Sequence, residues 1–343
     1  MKKLLIVGAG AVGRAFLPWV FPPEQFLYWY IDINQYLVNR LKRPGGTTYM
    51  TKSGGYVLQR IQCQDAPPAE FDAVITAVGP RNFMTLVEMF KDTTVPIICC
   101  ENDSRLPQIM TNLTGNQNIY FAIPDVIASN MAPKKLTDID PIAIVTEDGV
   151  CYIEYPMWTL GGNAVYLDKK GMYREWKAKL YIHNTPHCIA AYLGYQKRCF
   201  LLSDAMAIPE IKEIVTGAME EMRRMIVARY GIDPIFAEEY STKELRRFSN
   251  KLLHDPIARV AREPLRKLAK DDRLIGAAAL CLEVGIEPVN IMKGIRAAMK
   301  YIQPKDPDYR TMKLVSDIGK FLDMIGVKPE EPIYNLMVKE IKL

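Results

Sequence analysis

Lys2-Lys-Leu-Leu-Ile-Val-Gly-Ala-Gly-Ala-Val-Gly13 is the stretch that decides the fold. An unbroken apolar run, Leu4 to Val7, leads straight into glycines at 8, 10 and 13, the pattern of a strand feeding a phosphate-binding turn and then a helix. Gly8 permits the tight turn, Gly10 lets a pyrophosphate approach the backbone, and Gly13 lets the helix pack closely on the sheet. The helix N-terminus then faces the phosphates. A second apolar run, Phe26 to Ile31, ends at Asp32, where an acidic residue is expected to hold the adenosine ribose hydroxyls. No arginine follows Asp32 directly, which favours NAD over NADP. The ordinary alternative, an incidental glycine-rich turn, lacks this strand-to-helix setting.

Working outward, Ala73-Val-Ile-Thr-Ala-Val78 reads as a strand ending in Gly79-Pro80, and Val95-Pro-Ile-Ile-Cys-Cys100 as one ending in Glu101-Asn102. Ligands of such folds collect at strand C-termini, so Val78 and Gly79 are expected to contact the cofactor and Asn102 to lie where the nicotinamide sits. A plain turn-forming asparagine is the equally ordinary reading of Asn102. To about residue 125, short Val/Ile-rich runs alternate with helical stretches, the signature of a parallel sheet with helices on both faces. Strands follow at Ile142–Thr146, Val150–Tyr155 and Ala164–Leu167, with hairpins expected at Glu147-Asp-Gly149 and Gly161-Gly-Asn163. Beyond residue 172 the pattern is helical, with one apolar stripe from Ile211 to Ile226 that stops at Gly231. The expected fold is α/β: an N-terminal Rossmann-type doubly wound sheet with additional strands over 1–175, then a mostly α-helical substrate domain over 176–343.

The helical half opens on Lys179-Leu-Tyr-Ile-His-Asn-Thr-Pro-His187. At about 100° per residue, Lys179, Asn184 and His187 span an arc of roughly 140° and can reach one small substrate. A lysine in a dry pocket exchanges a proton with an alcohol or carbonyl oxygen, while an amide and an imidazole hold that oxygen. Chance co-occurrence is the bland reading. Pro186 either kinks a continuous helix or starts a new one after Thr185. The domain boundary just ahead of Lys179 would put this trio at the cleft between the halves.

Together these residues resemble the long-chain polyol (mannitol) dehydrogenase family, and most of all its mannitol-1-phosphate 5-dehydrogenase branch. The resemblance is carried by Lys179, Asn184 and His187 with Thr76-Ala-Val-Gly-Pro80, Cys100-Glu-Asn102 with Arg105, Gly217-Ala-Met-Glu-Glu221, Arg229-Tyr-Gly231, Arg262-Glu-Pro-Leu-Arg-Lys-Leu268 and Asp272-Arg-Leu-Ile275. It implies an NAD-dependent oxidoreductase interconverting a polyol phosphate and a ketose phosphate, of the mannitol 1-phosphate/fructose 6-phosphate type. Lys179 would be the general acid/base, Asn102 and Asn184 would polarise the reacting oxygen, His187 would orient it, and Arg259 and Lys267 match substrate-contacting positions. One departure stands out: where the family commonly has Val-Asp-Arg-Ile-x-Pro, this chain has Ala128-Ser-Asn-Met-Ala-Pro133, so Ser129 replaces an acidic residue lining the polyol site. The alternatives are a related NAD enzyme for another sugar phosphate or sugar acid, one resembling 6-phosphogluconate dehydrogenase, or a catalytically silent dinucleotide-binding protein.

Arg259, Arg262, Arg266, Lys270 and Arg273 recur at three- and four-residue steps; a helical register would align them as a phosphate-binding stripe. The interspersed Glu263, Asp271 and Asp272 equally fit a salt-bridged surface. With 343 residues, 49% hydrophobic, the chain can bury two cores, and a net charge of +5 with mixed signs gives no nucleic-acid surface. No apolar run spans a bilayer. Seven cysteines without a Cys-x-x-Cys pair suit reduced thiols in the cytoplasm. Three histidines at no zinc spacing argue against a catalytic metal.

Overall fold

The computed structural model describes residues 1–52, 55–91, 93–155 and 159–342. The chain divides into two compact units, Met1–Trp176 with Leu252–His254, and Lys177–Lys251 with Asp255–Leu343.

Among the described residues the first unit holds eleven strands: β1 (Lys2–Val7), β2 (Phe26–Ile31), β3 (Gly46–Lys52), β4 (Gly55–Ile61), β5 (Ala73–Thr76), β6 (Ile97–Cys99), β7 (Ile119–Asp125), β8 (Ala128–Ser129), β9 (Ile144–Glu147), β10 (Val150–Glu154) and β11 (Val165–Leu167). Seven form one sheet in the order β11-β10-β7-β6-β5-β1-β2, parallel from β2 to β7. Its two faces are apolar for the reason a strand has two faces: along β1, Leu4 and Ile6 pack with Phe16, Phe21 and Tyr28, while Val7 packs on the other side with Phe83, Phe90 and Met110. Strand order reverses between β1 and β5, the switch point at which such sheets bind ligands. The fold is therefore the Rossmann-type doubly wound sheet with additional strands, followed by helices.

The hairpins do not form. β9 lies in a second sheet, ordered β4-β3-β9-β8, parallel to β3, whereas β10 joins the first sheet antiparallel to β7. Glu147 explains the parting: its side chain turns back to accept from the Ile127 N–H. β10 and β11 are parallel. The Gly161-Gly-Asn163 turn docks elsewhere, Asn163 giving its N–H to Val20 O at 2.6 Å and its amide to Trp19 O at 2.9 Å. The antiparallel β3–β4 pair went unforeseen, although a Ser-Gly step between two β-prone runs was its signal. Leu252–His254 joins this unit through side chains: Tyr56 Oη donates to Leu252 O at 2.9 Å and Ser129 Oγ to His254 O at 2.9 Å.

The second unit is helical. Pro209–Tyr230 ends at Gly231, whose φ of 62° supplies the left-handed cap. Met219, Met222 and Met225 are buried along it as core filler. On the same helix Gly217 leaves room for Asn290, where a Cβ would lie 2.3 Å from the Asn290 amide. One turn later, buried Glu221 accepts the Asn290 and Ile291 N–H groups at 2.8 and 3.0 Å. That carboxylate caps the helix Val289–Met299, so the Gly217–Glu221 motif is a helix-packing device. Among the described residues no helix is long and apolar enough to cross a membrane.

Candidate active site

In the first unit the glycine turn is a cradle built by contact. Gly8 has φ 103°, and a Cβ there would stand 2.6 Å from Ala77 O, at the end of β5. A Cβ on Gly13 would stand 1.9 Å from Gly8 O, so the turn closes on itself only with glycine at 13. Over Gly10 a Cβ would meet nothing within 4 Å, which leaves the backbone bare. Asp32 Oδ2 accepts the Ala9 N–H at 2.7 Å and Oδ1 the Asn34 N–H at 2.8 Å, fixing the carboxylate against the turn with lone pairs to spare. The helix after the turn starts as a π-helix, Ala11–Phe16, and continues as Leu17–Val20. Arg14, buried within it, donates from Nε to Ala9 O at 2.8 Å and from its guanidinium to Ile142 O.

Sequence reasoning quoted Glu101 within the Cys100-Glu-Asn102 motif but gave it no role, and it is the organiser of the neighbouring turn. It is 2% exposed, and its carboxylate accepts the Thr76 hydroxyl at 2.6 Å and the Val78 N–H at 3.0 Å. Burial pushes its pKa up, and these hydrogen bonds oppose the rise. The ends of β5 and β6 are thereby tied together. The Val78 N–H is turned to Glu101, Gly79 takes φ 84°, and partly buried Asn102 follows in the chain.

In the second unit Lys179, Asn184 and His187 are all buried, 7 to 8% exposed. The register differs from the expected α-helix. Lys179–Asn184 is a π-helix running directly into the α-helix Thr185–Gln196. Pro186 supplies the reason: it has no N–H for the ladder and crowds the carbonyl four residues back, so the turn ahead of it widens. Thr185 anchors the junction by donating to Arg273 O at 2.7 Å. His187 Nε2 meets Asp255 Oδ2 at 3.0 Å, while both Nε and Nη2 of Arg259 donate to Asp255 Oδ1 at 2.8 and 2.6 Å. Burial lowers the His187 pKa, with Asp255 opposing, so the ring is neutral and gives its one N–H to Asp255. Burial alone would raise Asp255, but Arg259 and His187 outweigh it and hold its pKa at about 2. Asp255 was another residue the sequence did not reveal; only its place four before Arg259 hinted at a pair.

The basic stripe is corrected. Its helix ends at Ala261, Glu263 takes φ 61°, and Pro264 starts a new short helix, so no common register exists. Each cation pairs with an acid: Arg259 with Asp255, Arg262 and Arg266 with Glu263, Lys270 with Glu331, Arg273 with Asp272. Lys267 is buried, its ammonium donating to Val260 O at 2.8 Å and to Arg262 O. Burial, with Arg266 next in size, lowers its pKa to about 7. Ser129 is fully buried; besides donating to His254 O it accepts the Met131 N–H at 3.1 Å. Cys188 donates to Thr185 O, and burial raises its thiol to about 11, leaving no reactive thiolate.

A Rossmann-type sheet with a glycine cradle at its switch point, joined in one chain to a helical unit bearing a buried Lys-Asn-His trio, defines the class of dinucleotide-dependent oxidoreductases. Residues 173–330 match the mannitol dehydrogenase C-terminal domain. The chain is 28% identical to a mannitol-1-phosphate 5-dehydrogenase of Bacillus licheniformis, over 98% of both chains. It is also 28% identical to one of Bacillus pumilus, over 98% of this chain and 99% of the other. Among solved structures, the Pseudomonas fluorescens mannitol 2-dehydrogenase in ternary complex with NAD and D-mannitol shares the fold, with a TM-score of 0.77 at 14% identity, covering 98% of this chain and 90% of that one.

Proposed function

We propose that the protein is an NAD-dependent dehydrogenase interconverting a secondary alcohol of a linear polyol phosphate and the corresponding ketose phosphate, as mannitol 1-phosphate with fructose 6-phosphate. The observation that carries this reading is the buried Lys179, Asn184 and His187 on one π-to-α helical segment, within the region that matches the mannitol dehydrogenase C-terminal domain. NAD fits the first unit because Gly8 and Gly13 keep a cradle that a Cβ would fill, and Asp32 keeps acceptor capacity for ribose hydroxyls. Gly10, Val78 and Gly79 complete the proposed cofactor contacts. Bound there, NAD supplies the hydride acceptor.

The rest falls to side chains. In the oxidation direction the neutral Lys179 amine takes the hydroxyl proton. Asn184 and Asn102 donate amide N–H groups to the oxygen as it gains charge, a contribution of about 3 kcal/mol per well-placed donor in a dry site. His187, its Nε2–H given to Asp255, presents Nδ1 as an acceptor for a neighbouring hydroxyl of the polyol, which orients the reacting carbon. We assign Arg259 to the substrate phosphate; Lys267, expected to contact substrate as well, instead gives its ammonium to the Val260 and Arg262 carbonyls and holds the backbone that follows Arg259. Lys179 handles the proton by itself, so the scheme uses no metal. Seven unpaired thiols go with a reducing, cytoplasmic setting.

One observation favours a second reading, a different sugar phosphate or a sugar acid as substrate. Ser129 stands where the family resemblance implies an acidic residue, and its hydroxyl is already bonded to the chain. A substrate panel followed by NADH absorbance decides. Turnover of fructose 6-phosphate is expected; turnover of keto acids alone overturns the polyol reading, and tight NADH binding without turnover of any compound overturns the enzyme.

A further inference from the structure

The geometry points to His183 and Glu244 as a second imidazole–carboxylate pair that positions the ring of His187; this rests on the reading of His187 as the group orienting the substrate. His183 plays no part in the chemistry proposed above, yet it is 4% exposed and its Nδ1 bonds Glu244 Oε2. Glu244 is fully buried and its other oxygen pairs with Arg247. The same order of groups, imidazole to carboxylate to guanidinium, links His187, Asp255 and Arg259. The two arrays meet at their rings: His183 and His187 have centroids 4.9 Å apart at 44°. Phe248 lies against both, at 5.0 Å and 23° to His187 and at 5.4 Å and 67° to His183.

These contacts divide the control of one ring. Asp255 sets which nitrogen of His187 carries the proton and which is left to accept. A single edge bond still lets the ring plane rock. Phe248 stacks on that ring and His183 packs against both, the three rings forming one cluster, and His183 resists displacement because Glu244 pins its Nδ1. An aliphatic side chain at 183 would fill space without a bond to hold it, whereas burying a carboxylate and an imidazole there carries a desolvation penalty that packing alone does not call for. A misplacement of about 1 Å in an orienting group lowers turnover on the order of 100-fold, so the second pair acts on rate through His187 and touches no substrate itself.

The test uses the full chain with His183→Leu, Glu244→Leu and Glu244→Gln, each alone and combined with His187→Ala. His183→Leu and Glu244→Leu are expected to lower kcat ten- to a hundredfold with KM for NADH unchanged. Glu244→Gln, which keeps a bond to His183, stays within a few fold of wild type. In the His187→Ala background, His183→Leu adds less than a twofold loss. Equal losses in both backgrounds overturn the inference, as does activity abolished by EDTA and restored by a divalent cation, which would make the pair metal ligands. A second readout needs no substrate. With three histidines in the chain, ring NMR resolves His187; His183→Leu should leave its tautomer, which Asp255 sets, unchanged while broadening its ring signals through microsecond-to-millisecond exchange, and signals that stay sharp overturn the proposal. Wild-type protein inert toward polyol phosphates, but with those signals responding, removes the proposed reaction and leaves the positioning pair standing.

Discussion

Two helices of this protein contain turns wound wider than the α-helix, Ala11–Phe16 in the first unit and Lys179–Asn184 in the second; each runs into a proline two residues on, Pro18 and Pro186, and they differ in what the backbone of the wide turn meets. In the first, the backbone presses on itself: Gly13 lies where any Cβ would meet Gly8 O at 1.9 Å, so only a residue without a side chain is admitted. In the second, six residues with no glycine among them run up to Pro186, and the N–H missing downstream, a lack the first turn shares through Pro18, acts without any such contact. A constraint imposed through absent side-chain volume is written in residue type. One imposed through an absent hydrogen-bond donor is written only as a proline, which other helices here, Pro209–Tyr230 among them, carry at their first position with no wide turn before it.

The sharpest way to break this comparison is chemical. Lys179→Ala should lower kcat about 1,000-fold, within the usual range for an acid/base group, with the Kd for NADH unchanged by fluorescence titration. Near-normal rates across the pH range would remove Lys179 from its role. Next comes Gly13→Ala, expected to destabilise by about 3 kcal/mol in denaturant melts, because backbone faces the new methyl and little can yield.

Asp255→Asn sharpens the second half. With a folded pKa of about 2 against an ordinary 3.8, Asp255 holds its proton less tightly folded than unfolded. The stability it lends is complete above about pH 4 and is lost as pH falls toward 2, roughly 2 kcal/mol in all. The variant should show a flatter acid limb in stability measured against pH. Gly10→Ala returns to the glycine turn with a smaller effect: the new methyl meets nothing in the protein, so the Tm should hold while the Kd for NADH rises about tenfold. Smallest is Arg262→Ala, whose side chain is 62% exposed in its pair with Glu263; a change under about 0.5 kcal/mol is expected.

The same distinction explains how much was legible in the sequence. Gly8, Gly13 and Asp32 were readable because turn chemistry and sequence distance are local, and the structure brings them together at the β1–β5 switch point. Glu101 and Asp255 were not. Each acts on groups distant in sequence, 25 residues back to Thr76 and 68 back to His187. The hairpins failed likewise: Gly161 and Asn163 are turn formers in any setting, and only the docking of Asn163 on Val20 sends β11 parallel to β10. The basic stripe misled because three- and four-residue spacing has meaning only inside a continuous helix, and Glu263 with Pro264 ends that continuity.

The tripeptide Leu252–His254 has a practical consequence for dissecting the molecule. Since it belongs to the first unit, neither unit is one contiguous length of polypeptide. A fragment cut after Trp176 would carry Ser129 with a buried hydroxyl deprived of its acceptor, and Tyr56 likewise. Such a fragment should dissolve poorly by itself, and a synthetic peptide containing residues 252–254 is the natural additive to rescue it.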